Sequence, residues 1–136
     1  HLSQGQDLQP CPTIVLIHIA NVANFRKQLG RRATDLFLKH AAEVLLAAVQ
    51  SSDIVGSFGG EDFSVILFTN IRKKNFARIN EIHMGLTNNP FVWEGVAYPL
   101  DTVFGWAELI ENLTLEEAFE AADQRIREKL SDNIRI

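Results

Sequence analysis

Two adjacent carboxylates, Glu61 and Asp62, follow a glycine pair, Gly59-Gly60. Apolar runs flank them, Ile54-Val55 on one side and Phe63 to Phe68 on the other. Glycine enters φ > 0 without steric cost, so Gly-Gly between β-rich runs predicts a tight hairpin turn. Such a turn sets two negative charges beside backbone that carries no side chains. Hard divalent cations take carboxylate oxygens, so the arrangement suits a cation and the phosphates it carries. The competing reading is a surface hairpin with solvated acids, and a motif this short favours it when taken alone.

The elements that must hold this turn are legible in the surrounding pattern. Thr13 to Ile19 is a continuous β-branched run and predicts a central strand buried on both faces. Val22, Phe25 and Leu29 share one helical face over Asn21 to Leu29, and Gly30 is placed to end that helix. A longer helix is predicted over Arg31 to Gln50, then strands over Ile54 to Phe58 and Phe63 to Thr69. Asn70 can cap a third helix reaching about Leu86, with Phe76, Ile79, Ile82, His83 and Leu86 as its apolar stripe. The cations Arg72, Lys73, Lys74 and Arg78 near its start oppose the helix dipole and are read as a solvated face. Phe91 to Trp93 and Val96 to Tyr98 flank Glu94-Gly95, a hairpin signal. Thr102 to Leu109 is a further strand, and Gly105 inside it marks a close backbone approach. Thr114 to Glu117 forms a capping box that opens a last helix through about Leu130, and Ile134 to Ile136 fits a terminal strand.

The predicted order is β-α-α-β-β-α-β-α-β. It implies an α+β (α/β sandwich) domain with a ferredoxin-like core and one mixed central sheet. With 136 residues, 46% hydrophobic and 22% charged, the chain suits one folded domain over 13–136, with 1–12 as a linker or cut edge. The net charge of −4 gives no global field toward nucleic acid or an anionic membrane. A single cysteine, Cys11, excludes an intrachain disulfide and fits a reducing compartment. The longest apolar runs are too short to span a bilayer.

Phe58-Gly59-Gly60-Glu61-Asp62-Phe63 resembles the signature of GGDEF domains, the diguanylate cyclases of bacterial cyclic di-GMP signalling. The likeness extends along the chain. Gly30 and Thr34-Asp35 sit where the family has Gly-His-x-x-Gly-Asp, and Val103 to Ala107 resembles its Ser-Ile-Gly-Val-Ala strand. Ala122-Asp123 matches a pair in its last helix. The resemblance implies a nucleotidyl-cyclase fold, in which two GTP-loaded domains meet and metal ions held by acids assist phosphoryl transfer. It implies that Gly59 and Gly60 let backbone approach phosphate, that Glu61 and Asp62 serve metal and catalysis, and that Asp35 reads guanine. Mg²⁺ or Mn²⁺ would accompany any bound GTP.

The same resemblance has departures. The family's first metal-binding Asp falls on His18, and a neutral imidazole is a poorer ligand for Mg²⁺ than an anionic oxygen. His18 is therefore either a third metal ligand with Glu61 and Asp62 or a strand-end histidine with a hydrogen bond. The base-contacting Asn falls on Arg26, and the Arg before the signature falls on Ser57. The phosphate-binding Lys falls on Leu130, with Lys129 one step off. The inhibitory Arg-x-x-Asp site reads Gln50-Ser51-Ser52-Asp53, so Asp53 remains as a remnant without its guanidinium. A degenerate, catalytically inactive regulatory domain is the reading these losses favour. Its expected partners are weakly bound GTP or cyclic di-GMP, a second copy, or neighbouring domains of a longer cytoplasmic or membrane-attached protein. The alternatives are an active diguanylate cyclase with an altered metal site and an interaction module without nucleotide.

Overall fold

The computed structural model describes residues 12–58, 61–68, 72–110 and 113–133. The Gly59-Gly60 turn, the Asn70 cap, the strand expected over Ile134 to Ile136 and the segment before Pro12 lie outside the described residues.

Six strands and three helices are described: β1 (Thr13–Ile19), α1 (Val22–Ala48), β2 (Ile54–Phe58), β3 (Asp62–Leu67), α2 (Arg72–Thr87), β4 (Phe91–Trp93), β5 (Val96–Tyr98), β6 (Thr102–Glu108) and α3 (Leu115–Ser131). A four-stranded sheet has the order β2-β3-β1-β6, and β4-β5 forms a separate two-stranded sheet. The expected mixed sheet is corrected: every described pairing is antiparallel. The reason is topological. Both β3 and β6 pair antiparallel with β1, so these like-directed strands flank it and never meet.

Strand β1 lies in the middle because its sequence buries on both faces. Val15, Ile17 and Ile19 join Phe25, Phe37, Leu45, Phe63, Val65, Ile79 and Ile82 in the larger core, which α1 and α2 cover. Ile14 and Leu16 point the other way and join Val103, Ala107, Ala118, Ala122 and Ile126 under α3. Each fully buried aliphatic side chain contributes roughly 1.5–3 kcal/mol, so this two-sided strand organises the fold.

Gly30 separates the two helical runs expected on either side of it, which α1 joins across a kink. Its φ of 85° is in the region only glycine adopts freely, and the helix kinks there. Thr34 Oγ1 donates to the Gly30 carbonyl at 2.7 Å and steadies the turn after the kink.

The close approach at Gly105 is present. A Cβ on this residue would collide with the Ala122 carbonyl oxygen and come within 2.8 Å of Ile126 Cγ1. The backbone of α3 therefore rests directly on β6. The helix begins with the expected capping box, in which Thr114 Oγ1 accepts from Glu117 N–H at 3.0 Å and Glu117 accepts from Thr114 N–H at 3.0 Å. These hydrogen bonds with Thr114 hold the Glu117 carboxyl below its usual range.

Candidate functional site

The acids lie where β3 begins, beside the end of β1. The register pairs His18 with Asp62, and Ile19 N–H donates to the Glu61 carbonyl at 3.0 Å. That ladder fixes both carboxylates at one end of the sheet. His18 Nδ1 donates to Asp62 Oδ1 at 2.8 Å, with the two side chains 24% and 38% exposed. The contact is a cross-strand pair made possible by side chains standing on the same face of neighbouring strands.

Glu61 turns to a different partner. Its Oε1 lies 3.7 Å from Arg26 Nη1, on the first turns of α1. Both groups are substantially exposed, so the pair is worth less than about 1 kcal/mol, but it sets which cation sees the carboxylate first. The structure thus brings His18, Arg26, Glu61 and Asp62 together as two pairs.

This donor set does not fit a pair of hard cations. Among the described residues no group of three or more His, Cys, Asp or Glu side chains is arranged to hold a metal ion. One carboxylate already accepts from an imidazole, the other faces a guanidinium, and the imidazole is a softer donor than Mg²⁺ favours.

Asp35 stands on α1 one turn beyond the Gly30 kink and is exposed. It borders a surface cleft with Arg31, Arg32 and Leu36. Two guanidiniums beside a carboxylate can meet an anion and a hydrogen-bond donor on the same ligand.

Lys129 does not extend to solvent. Its Nζ donates to the Phe104 carbonyl at 2.6 Å and sits 4.4 Å from the Trp106 ring centroid. Burial, and then the nearby Arg125 charge, push its pKa below the ordinary lysine value. Arg125 donates to the Trp106 carbonyl from the same helix. Both cations are spent on the edge of β6, and Leu130 is 38% exposed beside them.

Asp53, the residue matched to the inhibitory site, forms an ion pair with Arg78 at 2.7 Å. One expectation for a charged group changes. Arg78 is not on a solvated face but buried. The signal was present in the spacing, since Asn75, Arg78, Ile82 and Leu86 recur at three and four residues and all four are buried. Phe76, placed in the apolar stripe, is instead 56% exposed.

The diguanylate cyclase, GGDEF domain family model matches residues 1–133. The chain is 23% identical over 125 residues to diguanylate cyclase DgcS of Shewanella oneidensis, covering 92% of this chain and 41% of that protein. The chain therefore spans less than half the length of this curated relative. Among solved structures, an EAL/GGDEF domain protein from M. capsulatus superposes with a TM-score of 0.78 at 25% identity, covering 96% of this chain and 88% of that one. The GGDEF domain of DgcB from Caulobacter crescentus, solved with c-di-GMP, superposes with a TM-score of 0.80 at 16% identity, covering 93% of this chain and 75% of that one. A family model spanning nearly the whole chain, on a fold these structures share, establishes that the chain belongs to the GGDEF domain family.

Proposed function

We propose that this domain serves cyclic di-GMP signalling as a regulatory nucleotide-binding or protein-interaction module and does not run the cyclase reaction at a useful rate. The observation that carries this reading is the pairing of both signature acids. Asp62 accepts from His18 and Glu61 faces Arg26, so a shared cation has a competing donor to displace at each carboxylate. The chemistry of the donor set argues the same way, because His18 stands where the family resemblance calls for an acid.

The exposed carboxylate of Asp35 beside Arg31 and Arg32 supports retained recognition of a purine nucleotide. A ligand held at its base but not at its phosphates binds weakly, since the charge-assisted contacts are the strong ones. A second copy, or a neighbouring domain in a longer cytoplasmic or membrane-attached protein, is the partner such a domain would address. No described helix is long and apolar enough to cross a membrane.

Two assays test the reading. GTP incubated with the chain and either Mg²⁺ or Mn²⁺ should yield no cyclic di-GMP above a protein-free control, and calorimetry should register weak GTP binding. Metal-dependent product that disappears in Glu61→Ala would establish the active-cyclase alternative instead. No heat with GTP under either metal would leave a protein-interaction module as the function.

A further inference from the structure

Helix α2 carries a guanidinium that solvent barely reaches. Arg78 is 7% exposed. Its Nη2 donates to Asp53 Oδ2 at 2.7 Å, and its Nη1 donates to Glu81 Oε2 at 2.9 Å and to the Ala48 carbonyl at 3.4 Å. Asp53 Oδ2 also accepts the Gln50 backbone N–H at 2.8 Å. The Asp53 side chain is only 2% exposed. One guanidinium thus joins the last residue of α1, the turn into β2 and the middle of α2.

Removing two charges from water is costly, and good geometry with extra hydrogen bonds must offset it. The network here is nearly complete: Arg78 Nε alone is buried without a partner among the described residues. Asp53 is also the residue that the family resemblance puts in the inhibitory cyclic dinucleotide site, with Gln50 where a guanidinium would stand. A ligand would have to reach that carboxylate from solvent. Both donors that Oδ2 is seen to accept come from within the fold.

We propose that Arg78 is a positioning residue that closes this place from inside, so that Asp53 is a structural anion and the domain takes no cyclic dinucleotide there. The helix guanidinium holds the carboxylate that a ligand would otherwise address. The choice of ligand rests on the family assignment. The closure itself is a property of this chain and stands apart from whether the domain binds GTP or makes product.

Two measurements test it. Carbodiimide footprinting of the wild-type chain should label Asp53 several-fold more slowly than Asp123, whose side chain is 39% exposed. Equal rates overturn the proposal. Cyclic di-GMP titrations then compare wild type, Gln50→Arg and Gln50→Arg/Arg78→Met. The first variant supplies the missing guanidinium and should bind no tighter than wild type. The second frees the carboxylate and should bind about ten-fold tighter, the worth of one charge-assisted contact. A gain in Gln50→Arg alone, or no gain in a folded double variant, overturns the closure. If the double variant does not fold, the footprinting result decides. Neither readout depends on GTP, so the outcome is independent of the regulatory reading above.

Discussion

Asp62 and Glu61 keep the charge that cation chemistry needs, and their neighbours decide whether it is usable. His18 is the residue to change. His18→Asp replaces the donor on Asp62, now at 2.8 Å, with a second anion and creates a carboxylate pair that a divalent cation relieves. The variant should gain about ten-fold in Mn²⁺-supported GTP affinity over wild type by calorimetry. Asp53 gives the opposite kind of prediction. Asp53→Asn removes the buried anion and leaves Arg78 only the exposed Glu81 as a charged partner, which costs about 3–5 kcal/mol in urea unfolding, whereas Asp53→Asn/Arg78→Met should cost less than that single change. His83 supplies a pH dependence. It packs edge-on against Phe104 at 5.4 Å between ring centroids, and burial lowers its pKa. The folded pKa is then below the unfolded one, so the unfolded chain binds more protons between the two values. Stability therefore rises with pH through that window, and the penalty is complete below the folded pKa. His83→Gln should flatten the acid limb of the stability profile relative to wild type.

At the scale of elements, the contact of α3 with β6 is the most demanding. Gly105→Ala drives a methyl group into the Ala122 carbonyl, and backbone yields less readily than a side chain. The expected cost is about 1–3 kcal/mol by chemical denaturation, with α3 loosened first. Gly105 was legible because a glycine interrupting a strand gives up side-chain packing, and a close backbone neighbour is what makes that loss worthwhile. The capping box at Thr114 was legible because its residue types and their spacing are the structure. The strand β1 and the periodicity of α1 were also plain, since hydrophobic pattern records burial directly. What the pattern did not separate was burial from polarity. Arg78 occupies an inner-face position, but a cation near a helix start reads as solvated until Asp53, 25 residues earlier in sequence, is known to lie beneath it. The pairing of Glu61 with Arg26 is equally a product of tertiary placement, as is the turning of Lys129 onto Phe104. The helix break at Gly30 was legible because a glycine just past the last periodic residue supplies the positive φ that ends a helical run.

Across the whole molecule, the family fold is intact, and His18 pairs with Asp62 and Arg26 with Glu61 at one end of its sheet. The two-sided core around β1 does not depend on any of the charged groups in the site. Changes at His18, Arg26 or Glu61 should accordingly alter binding with little loss of stability. Ligand linkage checks the division. GTP supplied at about 100 times its Kd should stabilise the chain by about 2.7 kcal/mol, whereas the same concentration of cyclic di-GMP should leave the unfolding midpoint unchanged.

The edge of the sheet carries a consequence for handling and for assembly. Leu109 N–H donates to Pro12 and Ala20 N–H donates to Asp101, so odd-numbered residues of β6 face β1 and the carbonyls of Phe104 and Trp106 face outward. Lys129 and Arg125 cap those two carbonyls. An incoming strand would have to displace two cations to pair there, which is how edges are kept from recruiting other chains. Lys129 and Arg125 thus occupy both outward carbonyls that an incoming strand would use. Replacing both with alanine should leave a folded domain whose concentrated solutions scatter light and bind thioflavin on standing, while wild type stays clear.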